Sequence, residues 1–306
     1  MRELKAERVA EEIGQTLRQD LFEDEIPIDE SDFLEALDRP TPIEPIPACR
    51  IHVEKPVSRH TYPALNCGAE LERLLLIPDT HSPYEDRRAW EAMLKFARAW
   101  KPHTIIHVGD LNDFYAISDH DRDPTRSSNV ADEAKRTNER LDEMDDLGAV
   151  RKLITFGNHD FWLRRHINRR APELAGLISL DSLLGFSERG WIQVDYKKHA
   201  RVGNLHVTHE VGYAGSTAVR NSGKITGHNI AIGHCHRLGL EYFGTVLGER
   251  YVSASLGWLG DFEAAEYKSD VEKAAWCHGF GTALMEKNGD FELQLRPIIA
   301  GRVVSI

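Results

Sequence analysis

The chain has 306 residues, of which 41% are hydrophobic and 28% are charged, a composition typical of a globular protein with a sizeable core. No apolar run approaches the roughly 18–20 residues that a membrane span needs, and the start, Met1-Arg2-Glu3-Leu4, is too polar for a signal peptide. Four scattered cysteines without a Cys-x-x-Cys pair argue against a disulfide framework and a structural zinc knuckle. We therefore expect a cytoplasmic protein without a membrane partner.

The net charge of −11 is concentrated in an N-terminal extension. Residues 1–40 hold 13 acidic and 5 basic side chains, whereas the rest of the chain holds 36 and 33, which leaves it open to an anionic substrate. Apolar residues at four-residue spacing predict an amphipathic helix over 3–20, and a proline cluster at 40–47 predicts a linker. We predict an acidic extension over 1–48 and a catalytic domain over 49–306. The extension is either a tail or helix packed on its own domain, or an arm for homo-oligomerisation or partner docking.

From about residue 70, apolar runs of strand length alternate with helical segments, which predicts a layered α/β domain. Short strands dominate beyond residue 190, and an Asn288-Gly289 turn is expected to join the last two in a hairpin. This order predicts an α/β (α+β) fold with two mixed sheets packed face to face and helices outside. The predicted strands are 74–78, 104–108, 152–156, 191–194, 204–208, 229–232, 250–255, 281–286 and 291–296, and the predicted helices are 85–100, 131–147 and basic sequence up to about 184.

Residues that are hard to bury recur where the apolar runs end. Open α/β sheets build their sites beyond the carboxyl ends of strands, so these residues are expected to meet at one place. Each motif alone is more often structural, but their joint occurrence indicates a centre that holds two metal ions. The mixture of carboxylate, amide and imidazole donors suits Mn, Fe or Zn better than calcium. The five motifs are Asp79-Thr80-His81, Gly109-Asp110, Gly157-Asn158-His159-Asp160, Thr208-His209-Glu210 and His234-Cys235-His236.

Taken together, with Asp113 three residues after Asp110, these motifs resemble the calcineurin-like metallophosphoesterase superfamily over roughly residues 70–240. In its overall sequence character the chain is similar to bacterial or phage-encoded members of this superfamily. The resemblance implies a four-layer sandwich of two mixed β-sheets flanked by helices. It also implies hydrolysis of a phosphate ester by hydroxide held between two divalent ions, with Mn favoured over Fe, Zn, Ni and Co. One ion would be held by Asp79, His81, Asp110 and His236, and the other by Asp110, Asn158, His209 and His234.

The resemblance also assigns roles beside the metals. His159 resembles the family's non-ligand histidine, which contacts the phosphate and serves as general acid, and Asp113 resembles the carboxylate that pairs with it in some members. A turn-stabilising imidazole and a capping carboxylate are the alternatives for these two residues. Phe114 stands where Ser/Thr protein phosphatases carry a phosphate-binding Arg, and Asp113 replaces the Tyr ligand of purple acid phosphatases. Neither subgroup is therefore expected.

Four arginines are candidates for contact with the rest of the substrate. Two follow the His159 motif in a basic segment that also carries the aromatic pair Phe161-Trp162, and two lie in the long polar loop after Asp113. Each pair of arginines either binds phosphate groups or is part of the solvated surface. The aromatic pair either stacks on a base or belongs to the core. The regions of Trp258 and Trp276 are expected to fill the core of the second sheet. The four arginines are Arg122, Arg126, Arg164 and Arg165.

These features predict a phosphoric ester hydrolase, and within it a phosphodiesterase acting on nucleic acid or nucleotides. A small-molecule phosphomonoesterase is the alternative within the same chemistry. A non-catalytic scaffold that keeps the fold and binds a partner is the alternative from another class. Relatives of that kind typically lose ligands or the acid histidine, whereas His159 and every predicted ligand are present in this chain.

Overall fold

The computed structural model describes residues 64–65, 70–118, 129–265 and 268–303. The N-terminal extension predicted over 1–48 lies outside the described residues, as do Arg122 and Arg126. The role of the extension in homo-oligomerisation therefore stays a prediction. In the part of the chain that the structure describes, no helix has the length and apolar character needed to cross a bilayer.

The described residues alternate between strands and helices in the first half and are richer in strands in the second. The strands are β1 (Ala64–Leu65), β2 (Leu71–Ile77), β3 (Thr104–His107), β4 (Arg151–Thr155), β5 (Trp191–Val194), β6 (Ala200–Val202), β7 (Leu205–Thr208), β8 (Ile230–Ile232), β9 (Leu238–Gly244), β10 (Arg250–Leu256), β11 (Gly279–Glu286), β12 (Phe291–Ile299) and β13 (Arg302–Val303). The α-helices are α1 (Arg87–Trp100), α2 (Val130–Asp145), α3 (Asn158–Arg170), α4 (Leu180–Leu184), α5 (Ala218–Thr226) and α6 (Asp270–Lys273). Single 3₁₀ turns lie at Tyr115–Ile117, Pro172–Leu174 and Gly215–Thr217.

The first sheet is mixed and has the strand order β13-β12-β11-β2-β3-β4-β5. Strands β2 to β5 are parallel neighbours, and β11, β12 and β13 extend the sheet in antiparallel fashion. In β2, Leu74 and Leu76 face one side of the sheet, whereas Leu75 and Ile77 face the other, and all four are fully buried. Burial on both faces explains why this strand is a nearly continuous apolar run in the sequence.

The second sheet is also mixed, with the order β1-β6-β7-β8-β10-β9. Strands β7, β8 and β10 are parallel, and β9 pairs antiparallel with β10 at the edge. The two sheets face one another across an apolar layer in which Leu74 and Leu76 of the first sheet share a cluster with Val207, Ala231 and Leu256 of the second. This packing confirms the predicted pair of mixed sheets.

Helices cover the outer faces of both sheets. Helix α1 begins after Asp86, whose carboxylate caps the amides of Arg88 and Ala89 at 2.9 Å each. It buries Trp90 and Met93 in the apolar cluster that also contains residues of α2 and α4. On the other side, Ala218 of α5 packs against β8. The order helix, sheet, sheet, helix gives the four layers that were expected.

Most predicted elements lie within a few residues of the observed ones, and the β11–β12 hairpin is confirmed, with Gly289 at φ +92° in its turn. The edge strand β9 was missed because its side chains alternate between partly and fully exposed positions, so the sequence shows no apolar run. Helix α5 was missed because it contains Gly223, where a Cβ would clash with the ring of Phe243. In both cases tertiary packing outweighs local preference.

Candidate metal centre

Five strands end at one place, and each is followed by one of the predicted motifs. Strands β2, β3 and β4 are parallel neighbours in the first sheet, and β7 and β8 are parallel neighbours in the second. The segments that follow them are joined by hydrogen bonds, from the amide of His81 to the carbonyl of Asp110 (2.9 Å) and from the amide of Gly233 to that of His209 (3.1 Å). The His209 ring joins the two sheets, since its Nδ1 lies 2.9 Å from the carbonyl oxygen of Val108.

The backbone at this place adopts a conformation that most residues avoid. Four of the seven predicted ligands have positive φ: +51° at His81, +48° at Asp110, +65° at His234 and +56° at His236. The left-handed region costs a non-glycine residue of the order of 1–3 kcal/mol and persists where surrounding structure enforces it, often at functional sites. The sharp turn after each strand directs these side chains into a shared space.

One group of side chains consists of Asp79, His81 and His236, all buried. Oδ2 of Asp79 lies 3.0 Å from Nε2 of His236, and that nitrogen lies 3.2 Å from Nε2 of His81. The three ligand atoms lie within 4.8 Å of one another, as atoms around a single cation would. We call these residues the first metal-binding group.

The second metal-binding group consists of Asp110, Asn158, His209 and His234. Nε2 of His209 lies 3.2 Å from Oδ2 of Asp110 and 3.1 Å from Oδ1 of Asn158. The ring of His234 is 5.2 Å from that of His209. Oδ2 of Asp110 is also 3.9 Å from Nε2 of His81, so this carboxylate lies between the two groups.

The donor atoms fit divalent cations. The Asp79 carboxylate is fully buried between imidazoles, with Nε2 of His236 at 3.0 Å from Oδ2 and Nδ1 of His209 at 3.6 Å from Oδ1. A carboxylate buried in this way is costly unless a cation compensates it. The facing Nε2 atoms of His81 and His236 form a hydrogen bond only if one is protonated, whereas a cation between them satisfies both. Cys235 packs in the apolar cluster around Ala218 with its Sγ 2.8 Å from Oγ of Ser255, and burial raises the pKa of its thiol.

The electrostatics of the two groups also favour a cation. Burial lowers the pKa of His209, but the carboxylates of Asp110 and Asp79 outweigh it and raise the pKa to about 10. In His236, burial outweighs the neighbouring Asp79 and lowers the pKa to about 4. The carboxylates therefore attract positive charge strongly, and a bound metal ion would replace the proton on His209.

Glycines let the backbone approach the predicted ligands. A Cβ on Gly157 would lie less than 3.0 Å from Oδ1 of Asp110, and one on Gly233 would lie less than 3.0 Å from Oδ1 of Asp79. At Gly157, φ is −93°, an ordinary value for any residue, so space alone requires glycine there. Gly157 and Gly233 therefore leave the space that the carboxylates of Asp110 and Asp79 occupy.

We expect Gly157→Ala to displace Asp110 and to lower kcat/KM about 100-fold or more, because displacements near 1 Å have effects of that size in active sites. Bound metal, measured by mass spectrometry, should fall as well. Gly227→Ala is the control: in contrast to Gly157, a Cβ there meets nothing within 4 Å, although its φ of +64° costs some stability. Equal activity of the two variants would contradict the close approach at Gly157.

Beside the two groups lies a third cluster, made of His81, Asp113 and His159. The carbonyl oxygen of Asp113 accepts a hydrogen bond from Nδ1 of His159 (2.8 Å), whereas its carboxylate is closer to Nδ1 of His81 (2.9 Å) than to that of His159 (3.3 Å). Asp113 therefore orients both imidazoles, and its carboxylate fixes mainly His81. The following 3₁₀ turn is preceded by Phe114 and has no side-chain cap, so the structure gives no support to the capping alternative.

Burial lowers the pKa of His159, but Asp110 and Asp113 outweigh it and raise the pKa to about 9. The backbone amide of His159 donates to Oδ1 of Asp110 at 2.8 Å, which holds that carboxylate in place. The ring stacks on Trp162, with centroids 3.9 Å apart. This imidazole is therefore fixed at Nδ1 and lies directly beside both metal-binding groups, where the two carboxylates favour its protonated form.

The chain matches the sequence model of one protein family. The sequence model of the calcineurin-like phosphoesterases matches residues 72–236, more than half of the chain, and this span contains all the residues of the two metal-binding groups. The chain belongs to the calcineurin-like phosphoesterase family. Family membership and the clustered Asp and His side chains together indicate a metal-dependent phosphoesterase with a divalent metal site.

Individual relatives of this calcineurin-like phosphoesterase come from mycobacterial phages. The Gene 54 protein of Mycobacterium phage D29 is 26% identical over 258 residues, which cover 76% of this chain and 95% of the relative. The Gene 54 protein of phage L5 is 24% identical over 259 residues, with the same coverage. Among solved structures, Vps29 from Cryptosporidium parvum matches 77% of this chain and 95% of its own (TM-score 0.44, 14% identity). Yfce, a phosphoesterase from E. coli, matches 72% and 98% (TM-score 0.37, 15% identity).

The predicted substrate arginines of this phosphoesterase that the structure describes lie on α3, outside the metal-binding groups. Nη1 of Arg164 pairs with Oδ1 of Asp195 at 3.2 Å, and its guanidinium lies 4.7 Å from the ring centre of Phe161. Arg164 and Phe161 line a pocket of about 340 Å³ between α3 and the end of β5. Trp162 is buried, as the core alternative predicted, whereas Phe161 is only partly so.

Sequence reasoning missed an aromatic wall beside His236. Trp258 and Trp276 were expected in the core of the second sheet, and for Trp276 that expectation was wrong. Trp258 is buried and stacks on His236 (4.7 Å, 13° between planes), but Trp276 is partly exposed and meets the same ring edge-on (4.4 Å, 81°). Both belong to the segment between β10 and β11, which carries no motif in the sequence.

Proposed function

We propose that this chain is a phosphodiesterase that acts on nucleic acid or nucleotides and uses two divalent ions, with Mn as the favoured metal. The observation that carries the proposal is the pair of metal-binding groups that share Asp110, with His159 directly beside them. Asp79, His81 and His236 would hold one ion with Asp110. Asn158, His209 and His234 would hold the other, again with Asp110.

When bound, two such ions activate water for attack on phosphorus and offset the charge of the phosphate group. The protein supplies the remaining groups. Nδ1 of His159 donates to the carbonyl of Asp113, so the proton on Nε2 is directed elsewhere and is available to a leaving oxygen. In the proposed reaction water releases one proton to solvent and its oxygen bonds to phosphorus, while the bond from phosphorus to the leaving oxygen breaks. The leaving oxygen takes the Nε2 proton of His159, and solvent returns a proton to that nitrogen after the reaction.

The charge balance supports a diester over a monoester. A diester carries one negative charge, whereas a monoester carries up to two and benefits from further cations. Among the described residues, the carboxylates of Asp79, Asp110 and Asp113 pair with histidines and with no Lys or Arg. Phe114, at the position where protein phosphatases carry Arg, is fully buried against Trp162 and offers no charge.

The basic helix α3 supports an extended anionic substrate. It begins at the metal-binding residue Asn158 and ends with Arg169 and Arg170 in its last turn. Arg165 lies between these ends, as does Arg164, whose charge is partly offset by Asp195, so positive charge runs along the helix away from the site. Such a stripe is suited to the successive phosphates of a nucleic acid.

The proposal is tested with the full chain and a substrate panel. We expect Mn²⁺-dependent hydrolysis of bis-p-nitrophenyl phosphate with kcat/KM at least about tenfold above that of p-nitrophenyl phosphate. The reason is that the charges around the site favour a substrate with one negative charge in the transition state. A chelator should abolish the activity and added Mn²⁺ restore it. Single-stranded DNA, double-stranded DNA and cyclic nucleotides extend the panel to natural diesters.

Each outcome of this panel distinguishes a function class. A preference for the monoester would replace the proposal with a small-molecule phosphomonoesterase. No hydrolysis of any ester, with both metal sites occupied according to mass spectrometry, would show a binding scaffold with the same fold. Hydrolysis of model diesters without cleavage of DNA or nucleotides would remove the nucleic-acid part of the proposal.

A further inference from the structure

Four aromatic rings form a row along the metal centre. From one end to the other they are Trp276, His236, His81 and His159, with successive centroid separations of 4.4, 5.2 and 4.5 Å. Trp276 makes ring contacts only with His236 and Trp258 among the described residues. In this series of contacts the indole is therefore separated from the proposed acid His159 by the two imidazoles that would bind the first metal ion.

Trp276 is held in place although it is partly exposed. Trp258 backs it, with centroids 4.8 Å apart and planes at 70°. The amide of Trp276 donates to the carbonyl of Lys273 (2.8 Å), and the next amide, of Cys277, donates to the carbonyl of His236 (2.9 Å). A large ring fixed beside a metal-binding residue, with part of its surface open, is suited to stacking on a ligand.

We propose that Trp276 forms a subsite that stacks a nucleobase on the ester group that remains attached to phosphorus. The inference rests on the proposed phosphodiesterase function and names the substrate class of that site. His159 serves the leaving oxygen, and Trp276 is separated from His159 by the rings of His81 and His236, so we assign Trp276 to the other ester group, which stays on phosphorus. A monoester has no such group, whereas a nucleotide diester carries a nucleoside there. Indole faces accept any base, because every base has a π-face.

The aromatic pocket on α3 is less suited to this role. The ring of Phe161 is approached by Arg164 at 4.7 Å and by Tyr196 at 5.2 Å, so other side chains already contact it. The hydroxyl of Tyr196 is bonded to Glu210. Trp276, in contrast, adjoins a residue of the first metal-binding group directly.

Two diesters with the same leaving group test the subsite on the full chain with Mn²⁺. In the p-nitrophenyl ester of thymidine 5′-monophosphate the retained group is a nucleoside, and in methyl p-nitrophenyl phosphate it is a methyl group. We expect Trp276→Ala to lower kcat/KM for the thymidine ester about 5- to 150-fold, mainly through KM, and to change the methyl ester less than about twofold. Trp276→Phe should retain most of the preference.

The ratio of kcat/KM for the two esters is measured on one sample, so it does not depend on the fraction of the protein that holds metal. Tyr242→Ala, which removes an exposed aromatic ring on the edge strand β9, is the matched control and should leave the ratio unchanged. An unchanged ratio in Trp276→Ala would overturn the subsite and leave the phosphodiesterase function standing. Failure of the unaltered protein to hydrolyse either ester would overturn the function itself.

Discussion

Replacing Asp110 by asparagine is expected to remove most bound metal and to lower kcat/KM for a diester by at least about 1,000-fold. Oδ2 of Asp110 lies 3.2 Å from Nε2 of His209 and 3.9 Å from Nε2 of His81, so its charge serves both metal-binding groups. Charge stabilisation of the transition state by metal ions is worth several kcal/mol, and its loss lowers the rate by a factor of this order. Mass spectrometry of bound metal and steady-state kinetics at saturating Mn²⁺ are the measurements.

The geometry makes the asparagine variant especially damaging. Oδ1 of Asp110 accepts the amide proton of His159 at 2.8 Å, so an amide that keeps this bond must point its NH₂ group at the metal positions. Asp290→Asn, in the exposed turn between β11 and β12, is the control and should behave as the unaltered protein. Unchanged metal content and rate in Asp110→Asn would show that this carboxylate does not lie between two ions.

The layered fold and the location of the site could be predicted from the sequence because both depend on local patterns. A buried parallel strand such as β2 is an apolar run, and a polar residue directly after it lies at the sheet edge wherever the strand is placed. Asp79, Asp110 and Asn158 follow three such neighbouring strands. Their meeting point therefore follows from the pattern and from the order of strands in α/β sheets.

Features that depend on contacts between distant segments could not be predicted. Trp276 lies 40 positions after His236 and no motif connects them, so only the folded chain shows that their rings touch. The carboxylate of Asp113 was expected to pair with His159, and it lies 3.3 Å from Nδ1 of that ring. Its shorter contact with Nδ1 of His81 (2.9 Å) and the hydrogen bond from His159 to the carbonyl oxygen of Asp113 were not predicted. Spacing along the chain fixes neither the direction of a side chain nor the role of a carbonyl.

Replacing His159 by glutamine is expected to leave both ions bound and to lower kcat about 10²- to 10⁴-fold on a dinucleotide, whose alkoxide leaving group needs a proton. The loss should be much smaller on p-nitrophenyl diesters, because p-nitrophenolate leaves without one. Binding of the ions should persist because the backbone amide that holds Asp110 is retained. His166→Gln, an exposed histidine on the same helix, is the matched control.

The pH profile separates an acid from a merely structural histidine. Asp110 and Asp113 raise the pKa of His159 to about 9 against the effect of burial. Two cations bound to Asp110 would oppose this shift, so in the metal-loaded protein the imidazole loses its proton at a pH below about 9. The unaltered protein should therefore lose activity on the dinucleotide as the pH rises through that lower value, and the glutamine variant should lack this alkaline decline. If the glutamine variant lost activity equally on both leaving groups and kept the alkaline decline, His159 would have only a structural role. It would then stabilise its turn by packing against Trp162 and His81.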